Sequence, residues 1–159
     1  MKHPDIECRM MAPGEEAAVL ALVTRSFDEF VRPDFSEAGV SEFLRASREF
    51  VLDHPPGHRI SVAVRDGALV GMIDIRDCSH VAHFFVDPPY LGEGIGRLLF
   101  GHAIEDCREE CPDFESLTVH SSPWAVPVYG ALGFVATGPE AEVDGIRSVP
   151  MTWRLPGRG

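Results

Sequence analysis

Between an apolar strand and a helix the chain runs Val86-Asp87-Pro88-Pro89-Tyr90-Leu91-Gly92-Glu93-Gly94-Ile95-Gly96-Arg97. Glycines at alternate positions let successive backbone N–H groups turn toward one point, and the helix dipole adds positive potential there. Such a turn binds phosphate. It lacks the Gly-Lys-Ser/Thr ending of a nucleotide-hydrolysing P-loop and the Gly-x-Gly-x-x-Gly spacing of dinucleotide folds, which argues against nucleotide hydrolysis and hydride transfer. A plain tight strand-to-helix turn is the competing account of the same residues.

The segments around this turn fix the rest of the pattern. Ile6 to Met10 is a short strand, and after Pro13-Gly14 the stripe Val19, Leu22, Val23 and Phe27 falls at helical spacing. A second helix runs from Ser36 to Leu52, with Val40, Phe43, Leu44 and Val51 as its core side, and His54-Pro55-Pro56-Gly57 ends it. Strands are expected around Ile60 to Val64 and Leu69 to Ile75, joined by a tight turn at Asp66-Gly67, then at His80 to Val86. The helix after the glycines turns Ile95, Leu98, Leu99, Ala103 and Cys107 to one face. Beyond it come a strand at Ser116 to Ser121, a short helix at Ala125 to Leu132 stopped by Gly133, and a strand from Phe134 to Thr137. A hairpin about Asp144-Gly145 follows, with Val149, Met151, Trp153 and Leu155 alternating in the last strand. The order β-α-α-β-β-β-α-β-α-β-β predicts an α+β fold: a mixed, mostly antiparallel sheet of about seven strands with flanking helices. One domain is expected over residues 1–159, with 156–159 as a disordered tail.

Composition narrows the function classes. The net charge of −11 argues against binding nucleic acid or anionic membranes and favours a cationic small molecule near the surface. No apolar stretch approaches the ~20 residues that span a bilayer, and no charged-then-apolar leader opens the chain, so a cytoplasmic location is the simplest expectation. Cys8, Cys78, Cys107 and Cys111 show neither scaffold density nor paired zinc spacing and are expected to be reduced packing residues. Cys78, His80 and His83 mix good ligand types, but strand parity separates His83 from the others and a fourth ligand is missing, so no metal is expected.

The sequence resembles the GNAT superfamily of acyl-CoA-dependent N-acetyltransferases. His80 to Leu99 follows its signature of an apolar strand ending Val-x-Pro, then Gln/Arg-x-x-Gly-x-Gly/Ala opening a helix. Leu117 to Phe134 is similar to the family's Val-Asn-x-Ser-x-x-Ala-x-x-x-Tyr-x-x-x-Gly-Phe pattern, and Asp144 to Met151 resembles the terminal hairpin of one bacterial branch. Two positions depart from it: Leu91 stands where the family usually has Gln or Arg, and His120 where it usually has Asn.

The resemblance implies that acetyl-CoA lies against Leu91, Gly92, Glu93, Gly94, Ile95, Gly96 and Arg97. It also implies that the main chain of Phe84, Phe85 and Val86 holds the pantetheine arm and offers an N–H to the thioester oxygen, with His120 able to hydrogen-bond that arm. Tyr129 is implied as the acid for the departing thiolate, a role that suits a phenol of pKa ~10. An amine acceptor must lose a proton, and His80, His83 and His120 all lie in or beside the strands concerned. His80 is the preferred base, with Asp74 and Glu29 in reserve through water. Strict alternation groups His80 with Phe84 and Val86 and sets His83 opposite with Phe85; a bulge would exchange these faces. The expected activity is acetyl transfer to an amine, small molecule or peptide, by direct attack, with the helical pair Ala17 to Leu52 shaping the acceptor site. The alternative is a non-catalytic acyl-CoA-binding module of the same fold. A monomer and a homodimer are both left open.

Overall fold

The computed structural model describes residues 5–156, so 157–159 of the expected tail lie outside the described residues. The strands are β1 (Ile6–Met10), β2 (His58–Arg65), β3 (Ala68–Arg76), β4 (His80–Val86), β5 (Ser116–Ser121), β6 (Val135–Ala136), β7 (Ala141–Val143) and β8 (Ile146–Arg154). The α-helices are α1 (Glu16–Phe30), α2 (Glu37–Leu52), α3 (Ile95–Glu110) and α4 (Val126–Leu132). Eight strands follow the order β1-β2-β3-β4-β5-β8-β6, with β7 on β8, and only β4 and β5 run parallel. The sequence reading of about seven strands missed the division of the segment after Phe134. Gly138-Pro139 interrupts it, because proline cannot donate to a ladder, and leaves two short strands in place of one.

Each face of the sheet has its own core. Ile73, Ile75, Val81, Leu117 and Val119 pack under Ile95, Leu99, Ala103 and Cys107 of α3. Met72, Val62 and Ile60 pack against Val19, Leu22 and Val23 of α1 and Val51 of α2. The stripe expected on α1 is fully buried, whereas Phe43 and Leu44 of α2 are only half-buried. Ser36 caps α2 by accepting from the Gly39 N–H at 3.1 Å, and its own N–H donates to the Gly145 carbonyl at 3.1 Å. The closing hairpin is thereby folded against the start of α2.

One expectation is corrected outright. Cys78 and Cys111 form a disulfide, so only Cys8 and Cys107 are free. The residues are 33 apart, a separation with no motif signal, and a turn with positive φ at Asp77 and Cys78 brings Cys78 beside the residue that caps α3. Cys107 does pack in the α3 core, where burial pushes its thiol up to about 11. Among the described residues no helix is long and apolar enough to cross a membrane.

Candidate active site

The site starts where β4 leaves β5. Their parallel ladder consists of His80 with Thr118 and Val81 with Val119, after which the strands diverge. From Asp74 opposite His83 to Gly71 opposite Val86, β4 stays paired with β3, so its outward main-chain N–H and C=O groups face an opening instead of a neighbour. The far end of β4 is pinned to α1. Ser26 donates to the Val86 carbonyl at 3.2 Å, and Arg25 grips the Asp87 carboxylate through Nε at 3.1 Å and a terminal nitrogen at 3.0 Å.

The glycine turn closes this end. Gly92 and Gly94 sit at φ +83° and +81°, left-handed values that side-chain-bearing residues resist, and Gly94 is the N-cap of α3. The first helical bond runs from the Leu98 N–H to the Gly94 carbonyl at 3.2 Å, so the N–H groups of Ile95, Gly96 and Arg97 stand ahead of the ladder, free for an anion. Arg97 donates to the Ala131 carbonyl at 3.0 Å and ties α3 to α4.

These parts line one cavity of about 750 Å³. Apart from the two reserve bases, every site residue expected from the sequence lines it except Glu93, whose carboxylate pairs with Arg65 at 2.6 Å. Tyr129 enters from α4, its ring edge-on to Phe84 and Phe134 at 6.1 and 5.1 Å. The positive φ of Gly133 ends α4 just beyond it. Burial pushes the Tyr129 phenol upward, which keeps it protonated and able to donate.

The histidines are sorted by a bulge. Asp74 pairs with His83 but Ile75 pairs with Val81, so Ala82 is the extra residue on β4. Val81 lies in the α3 core, and His83 and Phe85 pack against Phe43 of α2, so His80 points to the α1–α2 side with them. Strict alternation, which grouped His80 with Phe84 and Val86, is therefore corrected.

Thr118 Oγ1 donates to the Ser79 carbonyl at 3.4 Å and so accepts from His80 Nδ1 at 2.7 Å, leaving Nε2 as the open lone pair. Burial first, then the charge of Arg76 and the neighbouring His120, lowers His80 to about 4. His80 is neutral at neutral pH, and a much weaker proton acceptor than an ordinary histidine. We expect a kcat/KM profile with no His80-dependent inflection near the ordinary value of about 6.5. An inflection there that vanishes in His80→Gln would contradict this.

The reserve bases lie elsewhere. Asp74 is fully buried with both oxygens turned to His58 Nδ1, at 3.0 and 2.9 Å, and Glu29 is on the exposed face of α1. Sequence reasoning missed Arg76, Arg147 and the aromatic residues of α1 and α2 as lining groups. Nothing in their spacing marks them, since what gathers them is the bulge and the packing of the last hairpin.

The comparisons agree with this architecture. The family model for the acetyltransferase (GNAT) domain matches residues 31–155. Among solved structures, a GCN5-related N-acetyltransferase from Rhodopseudomonas palustris superposes with a TM-score of 0.81 at 21% identity, covering 98% of this chain and 99% of its own. The PaiA N-acetyltransferase from Thermoplasma acidophilum, solved with coenzyme A, gives 0.75 at 14% identity over 94% and 99%. Apo YjaB from Escherichia coli gives 0.70 at 27% identity over 96% and 98%. The matched span runs from the end of α1 to the last strand, and the chain belongs to the GNAT acetyltransferase family.

Proposed function

We propose that the protein transfers an acetyl group from acetyl-CoA to an amine by direct attack. The observation that carries this reading is the opening between β4 and β5, which joins the free N–H groups at the start of α3 to the Tyr129 ring within one cavity. The relative solved with coenzyme A, of matching fold, supports the choice of cofactor.

Acetyl-CoA supplies the activated thioester. The N–H groups of Gly92 to Arg97 hold its phosphates. Most donors there are main-chain, so Leu91 in place of a polar residue costs little. The outward main chain of Phe84, Phe85 and Val86 binds the pantetheine arm as an added strand, and an N–H from it steadies the carbonyl oxygen as the new C–N bond forms. His120, exposed on β5, is within the same lining and hydrogen-bonds the arm. As the C–S bond breaks, Tyr129 gives its proton to sulfur and is reprotonated from solvent.

The attacking nitrogen must be neutral, and the cavity favours that state. Its only charged side chains are Arg76, Arg97 and Arg147, and it has no carboxylate among the described residues, so an ammonium entering it is driven to lose its proton. The open Nε2 of His80 is in the same lining and relays that proton outward without holding it.

The test is binding, then turnover. Acetyl-CoA at ~100 times its Kd should stabilise the fold by ~2.7 kcal/mol, read as a raised Tm. Gly94→Val should remove that shift while the protein remains folded, because a β-branched residue resists φ of +81° and moves the N–H groups. No shift in the parent protein overturns the reading. A shift with no thiol release from any amine favours the binding-module alternative.

A further inference from the structure

On the α1–α2 side of β4 the cavity is a chamber lined by rings. Phe30, Phe35, Phe43, Phe50 and Phe85 are half-buried and line it, and the exposed Trp124 joins the lining, stacked on Phe30 at 4.3 Å. Half-exposed aromatic rings collected in an interior chamber are a site for a flat apolar group.

The charge of this lining runs against that of the chain. The protein carries 25 Asp and Glu, yet none of them lines the cavity, and its three cationic side chains are Arg76, Arg97 and Arg147. Two of the three are committed. Arg97 bonds the Ala131 carbonyl, and Arg147 pairs with Glu140 at 2.8 Å and Asp34 at 3.3 Å. Arg76 has no carboxylate partner among the described residues.

Position separates Arg76 from the phosphate end. It is the last residue of β3 and pairs with His80 at the start of β4, whereas the glycine turn follows the end of β4. The strand between them is about 20 Å long. Arg76 is also on the chamber side of the sheet, since Asp74 and Met72, two and four residues back, face α1 and α2.

We propose that the acceptor is a free aromatic amino acid, its side chain among the chamber rings and its carboxylate on Arg76. This rests on the acetyltransferase reading above. A guanidinium takes a carboxylate through two parallel N–H bonds, which would fix the α-nitrogen relative to the opening between β4 and β5. In the transfer the α-nitrogen forms the amide bond to the acetyl carbon and gives up one proton to solvent by way of His80. The thioester C–S bond breaks, and sulfur takes the Tyr129 proton. The net charge favours cations only at a distance, and salt screens that field over about 8–10 Å, so the lining decides what binds.

The test is calorimetric titration of the full chain, saturated with coenzyme A, by L-phenylalanine, L-phenylalaninamide and spermidine. Phenylalanine should bind at least about tenfold more tightly than its amide or spermidine, the usual worth of a hydrogen-bonded charge. Arg76→Gln should bring phenylalanine down to the level of the amide and leave the amide unchanged, with Arg76→Lys in between. Equal affinity for amide and acid, tighter binding of spermidine, unchanged binding in Arg76→Gln, or no heat with phenylalanine would each overturn the proposal. Failure of the acetyltransferase reading is seen separately, as a parent protein whose Tm does not respond to coenzyme A.

Discussion

Replacing Tyr129 with Phe should lower kcat about a hundredfold while leaving the melting temperature and the acetyl-CoA affinity close to those of the parent. The substitution keeps the ring, and with it the edge-on contacts to Phe84 and Phe134 that seat α4 on the sheet. What it removes is the O–H alone. Loss of a positioned acid costs ~10²–10⁴ in rate, and a thiolate leaves tolerably without help, so the low end is expected. Single-turnover thiol release is the measurement, since product release does not mask the chemical step there. Activity equal to the parent would take Tyr129 out of the mechanism. A loss of acetyl-CoA affinity equal to the loss of rate would make it a binding residue.

How far the sequence carries depends on whether a feature is local. The stripe Val19, Leu22, Val23 and Phe27 marks α1 because helical spacing and burial are properties of one segment. The turn at Asp66-Gly67 is legible for the same reason, with φ of +50° and +80° as a tight hairpin requires. The glycine turn is legible twice over, by its conformational demand and by its likeness to a family motif. Phe43 shows the limit. Its spacing on α2 marks an apolar face but cannot distinguish a ring packed in the core from one that floors a cavity.

Features made by contact between distant segments were not legible. Cys78 and Cys111 become partners only because the β3–β4 turn and the end of α3 meet in space. Ala82 carries no sign of a bulge, although its extra residue decides which histidines share a face. The charge sum of −11 is a property of the whole surface, and the exclusion of every Asp and Glu from the cavity lining emerges only when the segments are assembled. The net charge therefore draws cations from a distance, whereas the cavity lining suits an anionic group.

The largest stability effect is expected at Asp74. This carboxylate is 0% exposed and accepts from His58 Nδ1 at both oxygens, with the His58 ring stacked on Phe50 at 4.5 Å. On its other side, His83 Nδ1 lies 3.8 Å from an Asp74 oxygen, too far for a hydrogen bond, and has no other partner. The Ser47 hydroxyl donates to the Phe43 carbonyl at 2.8 Å, so His83 Nε2 must donate to Ser47 Oγ at 2.9 Å and Nδ1 is left as a lone pair. Asp74→Ala would strand the buried His58 Nδ1–H without its acceptor, which for a broken buried pair costs ~3–5 kcal/mol. At ~2–4 °C per kcal/mol for a chain of this size, Tm should fall by roughly 6–20 °C. Asp74→Asn should cost much less, because its carbonyl still accepts from His58 and its amide can turn a donor toward His83 Nδ1. Thermal melts of the two variants decide it: a loss below about 1 kcal/mol in Asp74→Ala, or equal losses in both, would mean that packing and not the carboxylate holds His58 in place.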